Sequence, residues 1–391
     1  MKWNLVPLGT VCTVSSSTRI FAKEYRTEGI PFYRGKEVIE KHKGNPVSTE
    51  LFISKERYEE IRCKYDVPQI GDILLTSVGT LGVSWLVDEN EFYFKDGNLT
   101  WLRAKDGLLN KFLYLWLNSD DAKHQIDMMC IGSTQKALTI ETINKFVIPL
   151  PSMQEQESIC AVIYPIIERI KNNRNINDNL QQQAHALYKE WFVDFAPFGG
   201  GMPSTWSKGK LKDILYLKKC PIKAGANSEL PYLPIDTIPM RSFAVTDFRP
   251  NEEAQSSLIT FNRDDIIIGA MRVYFHRVVL APCDGITRTT CFTLSPLHAE
   301  YLAYGLLTCD LDSSIDHAQN TSKGSTMPYA IWDGGMGEIE IPIPPIEIAR
   351  KFNDLILPML RQIQRSYYDQ LNLRELRDTL LPQLMSGSLP I

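Results

Sequence analysis

The sequence predicts an α+β protein (mixed α/β): two globules joined by two long antiparallel coiled-coil helices, a tandem duplication with pseudo-two-fold symmetry. Three observations predict it. A heptad seam of apolar residues runs through 151–192. A second seam runs through 344–385 at a constant offset of 193 (Pro358 against Pro165, 358 − 165). The residues leading into the two seams also match, Ile148-Pro149-Leu150-Pro151 against Ile341-Pro342-Ile343-Pro344.

In the first seam the apolar positions alternate at gaps of four and three: Ile159, Ile163, Ile166, Ile170, then Leu180, Ala184, Leu187 and Trp191. That spacing lays one helix along another. Two seam positions, Asn173 and Asn177, are polar. Pro165 lacks an N–H, so a short helix before it and a long one from it, or a kink, is expected. In the second copy the seam maps onto Phe352, Ile356, Met359, Ile363, Leu373, Arg377, Leu380 and Leu384. Its polar layer is Ser366 and Gln370. Ile159, Ile166, Leu187 and Trp191, with Phe352, Met359, Leu380 and Leu384, are the expected core of the helix pair. Asn173 and Asn177 facing Ser366 and Gln370 are suited to fixing its register.

The globules follow the same repeat. Trp3 and Trp206 open the halves, and Ile30-Pro31-Phe32-Tyr33 answers Leu230-Pro231-Tyr232-Leu233. Gly71-Asp72-Ile73-Leu74-Leu75 answers Asp264-Asp265-Ile266-Ile267-Ile268, a turn followed by a buried strand. A Gly-rich hairpin (76–83) or an Arg-rich one (269–279) comes next, then the turn-and-strand signals Asp96-Gly97 and Asp284-Gly285. Short amphipathic helices are expected at 110–118 and 299–309, and a Gly-Ser-Thr loop closes each half at 132–134 and 324–326. The domains read as a first globule, 1–150; a central helical spacer, 151–196; a second globule, 197–343; and a C-terminal helical spacer, 344–391. Antiparallel helices let the second globule's entry and exit lie side by side, whereas parallel ones force it to bridge the full helix length. The tail 385–391 then returns to the first globule.

Composition excludes several classes. With 391 residues, 44% hydrophobic and 23% charged, the chain suits folded domains with their own cores. No apolar run approaches the roughly 20 residues that span a bilayer, and the N-terminus has no secretory apolar region. The eight cysteines have no paired spacing, which reads as reduced, mostly buried thiols in a cytoplasmic protein. A net charge of −4 makes any nucleic-acid surface local or shared with a partner.

With the duplicated layout, Gly132-Ser133-Thr134-Gln135-Lys136, Gly324-Ser325-Thr326, IPLPSMQEQESI (148–159), ALYKEWFVDFAP (186–197) and LRDTLLPQLMSG (376–387), the whole chain resembles the specificity subunit of a Type I restriction–modification enzyme. It departs from that pattern at Ile348-Ala349, where the second lead-in lacks the Glu-Gln pair seen at Glu155-Gln156, and at the prolines inside both helices. The resemblance implies two target-recognition globules that read a two-part site in double-stranded DNA, with the helices setting their separation. It implies two methylation subunits, which bind S-adenosylmethionine, and motor–nuclease subunits, which use ATP and Mg. No cofactor is expected in this chain, no metal, and no membrane partner.

The residues themselves point away from catalysis. No Asn/Asp/Ser-Pro-Pro-aromatic loop is present, since Met327-Pro328-Tyr329 lacks the second proline. Phe198-Gly199-Gly200-Gly201 follows no strand and reads as a linker, Gly209-Lys210 is no phosphate loop, and the six histidines lie far apart. Candidate DNA contacts in the first half are Arg34 and Lys36 after the Phe32-Tyr33 strand, Thr76, Ser77 and Thr80 on the hairpin, and Gln135 and Lys136 in the Gly-Ser-Thr loop. Their plain alternatives are a mixed-charge surface, turn chemistry and a helix cap. In the second half, alternation along a strand places Arg272, Tyr274 and His276 on one face and Arg277 opposite, with Arg288 and Thr289 on the next strand and Thr326 in the loop. Tyr188, Trp191 and Phe192 form an apolar cluster that docks the second globule or a methylation subunit. A different class of function, a duplicated coiled-coil scaffold that binds only protein, fits the same helices.

Overall fold

The computed structural model describes residues 3–45, 47–89, 91–130, 136–245 and 247–389. The chain divides into two compact units, Met1–Glu168 with Leu373–Ile391, and Arg169–Asn372. The long helices therefore belong to the units, each contributing one stretch to the first and one to the second.

In the first unit an antiparallel sheet runs in the order Cys12–Ser15, Leu99–Ala104, Ile73–Thr76, Ser84–Leu86. The second unit repeats this order with Leu215–Leu217, Cys291–Pro296, Ile266–Gly269 and Val278–Leu280. Both central strands are buried on both faces. Their alternate residues serve different cores. Ile73 and Leu75 pack under the helices, whereas Leu74 packs with Tyr33, Trp85 and Trp101. Ile266 and Ile268 are divided from Ile267 in the same way.

The expected Pro-aromatic strands, Ile30–Tyr33 and Tyr232–Leu233, each make a short parallel ladder, with Tyr93–Phe94 and Gly285–Arg288. Around these ladders the units diverge. Ile30–Tyr33 takes Phe52–Ile53 as its other neighbour, whereas Gly285–Arg288 pairs with Leu258–Phe261. The chain openings and the proline-rich lead-ins pair as ribbons, Asn4–Pro7 with Val147–Leu150 and Ser207–Lys210 with Glu340–Ile343. A two-stranded ribbon tolerates proline because its outer edges need no ladder partner.

The short helices form at Asn110–Leu117 and Leu302–Cys309. Each is followed by a second helix that periodicity did not reveal, Asp120–Met129 and Asp312–Asn320. The first of these is polar overall, and its start is signalled by Ser119, whose side chain accepts from the Ala122 N–H.

Both long helices are uninterrupted and equal in length, Met153–Phe192 and Ile346–Met385, 40 residues each, or roughly 60 Å at ~1.5 Å per residue. No break occurs at Pro165. Pro165 and Ala161, whose carbonyl loses its partner, are both exposed, so water takes the freed carbonyl. In the first unit Ile159 and Ile163 share a core with Leu381, Leu384 and Met385. In the second, Ala184, Tyr188 and Phe192 share one with Phe352, Ile356 and Leu360. The start of one helix meets the end of the other, which makes the pair antiparallel. Ile159, Phe352 and Leu384 are fully buried; Leu187, Trp191, Met359 and Leu380 are half-buried against these cores. Ile166 is half-buried and joins neither core. Trp191 lies 5.5 Å from Phe352 between ring centroids. Continued along the antiparallel pair, that contact sets Asn177 opposite Ser366 and Asn173 opposite Gln370. Asn177, Ser366 and Gln370 are buried.

The apolar cluster at the end of the first long helix belongs to the second unit's own core. Tyr188 stacks on Tyr304 at 5.7 Å and its hydroxyl lies 2.9 Å from that of Thr308, while Phe192 contacts Trp206 at 5.7 Å. Half of the thiols are buried (Cys12, Cys160, Cys291, Cys309), but Cys63 and Cys220 are exposed, because their helix and loop leave them on the polar side. Burial pushes the Cys12 thiol up to about 12 and Cys160 and Cys291 up to about 11, which holds them in the unreactive protonated form. Among the described residues no helix is long and apolar enough to cross a membrane.

The lead-in that departs from the family pattern is compensated locally. Ser152 and Glu155 form a capping box at the start of the first long helix. The neighbouring Gln156, fully buried, accepts from the Leu109 N–H at 2.8 Å and donates to the carbonyls of Gly107 and Pro151. Ala349 stands at the position matching Gln156. Asn353, one turn on, accepts from the Ala303 N–H at 3.0 Å and so ties the second short helix to the second long one. Gln156→Ala is expected to cost about 2–3 kcal/mol, because it removes three hydrogen bonds to the backbone, the one to Pro151 fully buried, and Asn353→Ala about 1 kcal/mol. Denaturant midpoints of the two variants check this ordering.

Candidate nucleic-acid interface

The residues that follow each Gly-Ser-Thr, 137–138 and 328–330, pair with the exit of their unit's central strand. In the first unit the Leu138 N–H donates to the Ser77 carbonyl at 2.9 Å and Val78 bridges Ala137. In the second unit the Ala330 N–H donates to the Ala270 carbonyl at 2.8 Å, the Arg272 N–H to Pro328 at 2.8 Å, and Met271 bridges Tyr329. Gln135 and the Gly-Ser-Thr of the first loop lie outside the described residues; Lys136 is exposed, and so is Thr326.

Several first-half candidates are occupied by the fold. Thr76 is buried, and its hydroxyl accepts from the Val83 N–H at 2.9 Å, closing its own hairpin. Ser77 is buried with both backbone groups engaged, its N–H on Asn98. The Arg34 guanidinium pairs with buried Glu37 at 2.9 Å, and Glu37 also accepts from the Arg34 backbone N–H, so the pair starts the helix Gly35–Lys43. Thr80 at the hairpin tip and Lys36 in the first turn of that helix remain exposed.

The segment 272–277 is not a strand. Val273–Phe275 is a 3-10 turn flanked by Arg272 and His276, whose backbones are left-handed at φ 50° and 51°. Non-glycine residues reach that region at a cost, and the turn breaks the alternation that would align Arg272, Tyr274 and His276. His276 is buried, with Nε2 2.9 Å from both the carbonyl and carboxylate oxygens of Asp310. His185 meets the other oxygen of that carboxylate at 2.8 Å, so two histidines far apart in sequence are joined in space. The Arg277 guanidinium donates to the carbonyls of Ile235, Asp236 and Ile238 and holds that loop. Tyr274 is exposed at the tip, ring to ring with Phe275 at 4.9 Å. Arg272 is half-buried and has no ion pair among the described residues; Arg288 and Thr289 are exposed.

A cleft of about 460 Å³ opens beside these residues. Thr289 and Met271 line it with Lys219, Lys323 and Tyr329, residues the sequence argument did not single out. The weak signals for them were the paired lysines at 218–219 and the tyrosine following the second Gly-Ser-Thr. Lys218 itself is consumed by buried Asp265 at 2.9 Å.

Against known proteins, residues 1–182 match the Type I restriction modification DNA specificity domain. The chain is 25% identical to the Type I restriction enzyme MjaIX specificity subunit of Methanocaldococcus jannaschii, over 96% of this chain and 90% of that one. Residues 1–182 thus carry a match to a DNA specificity domain, and nearly the whole chain is similar to a Type I restriction enzyme specificity subunit. A second relative, a putative Type I restriction enzyme specificity subunit of Haemophilus influenzae, is 28% identical over 49% of this chain and 48% of its own. The fold is shared with the crystal structure of the S subunit of a Type I restriction–modification system from M. genitalium, at a TM-score of 0.67 and 17% identity, covering 98% and 96% of the two chains. The matched domain is described as a DNA specificity domain, and the exposed loop residues are the place to look for such contacts.

The geometry separates two arginines. Arg277→Ala is expected to destabilise the chain by about 2–3 kcal/mol, because the carbonyls of the 235–238 loop lose a charged donor. Arg272→Ala is expected to change stability by less than about 0.5 kcal/mol. Thermal unfolding of the two variants checks the difference; equal losses would contradict the assignment of Arg277 as a loop clamp.

Proposed function

We propose that this chain is a specificity subunit, a non-catalytic reader of a bipartite DNA target. Each globule, residues 1–150 and 197–343, reads one block, and the helical regions 151–196 and 344–391 set the spacer between blocks. Two methylation subunits dock on the chain and bring S-adenosylmethionine; motor–nuclease subunits bring ATP and Mg. The observation that carries this reading is the combination of repeated and divergent parts. The four-stranded sheet, the ribbon and the docking of the closing loop recur in both units, while the strands and loops around the parallel ladder differ. A common frame with differing polar edges suits two readers of different sequences. The candidates for contact are the exposed ones: Lys36, Thr80 and Lys136 in the first globule, Tyr274, Arg288, Thr289 and Thr326 in the second.

Replacing residues 1–150 by the first globule of another family member, in the assembled methyltransferase, is expected to change one block of the methylated motif and leave the other intact. Methylome sequencing reads the result, and a change in both blocks defeats the two-reader assignment. A protein-only scaffold would instead give a complex whose DNA retention, and its salt dependence, are unchanged when the globules of this chain are exchanged. The chain by itself is expected not to bind S-adenosylmethionine. Calorimetric titration checks this, and saturable heat would contradict it.

A further inference from the structure

The cleft in the second globule joins two kinds of surface. Its floor is apolar, built from Leu217, Ala270, Phe292 and Trp332, with the last two rings edge to face at 6.3 Å. Its rim carries Lys219 and Lys323. Lys323 has no ion pair among the described residues, and Lys219 meets Asp333 only at 4.0 Å, with both side chains largely exposed. In a chain of net charge −4 this rim sets two cations against one carboxylate, Asp333. The rim is also held in place. Lys323 and Tyr329 exchange two backbone hydrogen bonds of 2.9 Å, and Tyr329 bridges Met271. Tyr329 nevertheless keeps about half of its surface exposed, at 49%.

Cations beside an open apolar floor complement a nucleic-acid strand, which presents phosphates and base edges together. The volume falls in the range of roughly 300–1,000 Å³ typical of ligand sites, larger than a lone ion needs. We propose that this cleft is the strand-reading site of the second globule: Lys219 and Lys323 position phosphates of the target DNA, and Tyr329 with Met271 meets a base edge. The proposal rests on the DNA-reading function above and names the place where the second block is read.

The test uses the specificity subunit assembled with its methylation subunits. Tyr329→Ala is expected to relax the second block of the methylated motif at one or two positions by roughly tenfold, leaving the first block unchanged. Lys323→Ala is expected to weaken binding of all sequences alike and to lower the slope of log affinity against log salt by about one. Circular dichroism of both variants establishes that they fold, which the exposure of both side chains favours. Two folded variants that leave the second block and the salt slope unchanged would overturn the proposal, as would relaxation of both blocks together. A parallel replacement of residues 197–343 by a relative's globule separates the two levels. If that exchange alters the second block while the point variants do not, the cleft is wrong and the two-reader function stands. If the exchange alters nothing, the function itself fails.

Discussion

The seam between the long helices is the constraint from which the rest of the molecule follows. A 40-residue helix with one apolar stripe is not stable by itself; it needs a partner that buries the stripe along its length. Here the partner comes from the same chain, so each compact unit contains a stretch of both helices. The first unit uses Ile159 and Ile163 against Leu381 and Leu384; the second uses Ala184 and Tyr188 against Phe352 and Ile356. The helices are thus part of the cores of the globules they connect. Disturbing the seam disturbs both.

The polar layer carries a cost in stability, and register is what such a layer is suited to fix in return. Asn177, Ser366 and Gln370 are buried in the second unit, and the Asn177 side-chain amide finds no protein partner among the described residues. An apolar residue there would bind more tightly, but it would also allow the seam to slip by a heptad. A slipped pair would leave this layer against isoleucine and leucine, at a larger cost.

Duplication has kept the frame and exchanged the fastenings. Asp72 and its counterpart Asp265 both sit buried at the turn before the central strand and accept backbone N–H groups, from Gln69 and Asn262. Their cations differ. Asp72 is met by Arg103 from the neighbouring strand at 2.7 Å, Asp265 by Lys218 from after the edge strand at 2.9 Å. Gln156 and Asn353 show the same substitution at the helix joints. A buried carboxylate needs a cation and a helix end needs an acceptor, but neither requires that it come from one particular position. Equivalent residues in the two halves therefore need not have equivalent roles.

What the sequence by itself determined is the set of features with a period or a repeat. The heptad seams, the matched prolines, the paired Gly-Asp and Asp-Asp turns and the buried triplets at 73–75 and 266–268 are visible because helices and strands impose spacing on apolar residues. They were enough to read two globules and two long helices, while the family resemblance rested on that layout together with the Gly-Ser-Thr loops and the segments 148–159, 186–197 and 376–387. The tertiary structure decided the rest, because it depends on partners distant in sequence. Pro165 stays within an unbroken helix because its face is solvent. The 272–277 segment turns instead of extending because Val273 and His276 are drawn into the core, the latter by Asp310. Arg34, Thr76 and Arg277 looked available for DNA, yet the fold spends them on Glu37, on Val83 and on the 235–238 carbonyls. Thr289 was read as a candidate, but Lys219, Lys323 and Tyr329 were not, because nothing local marks them. Only the docking of a closing loop onto a strand exit brings them around one cleft.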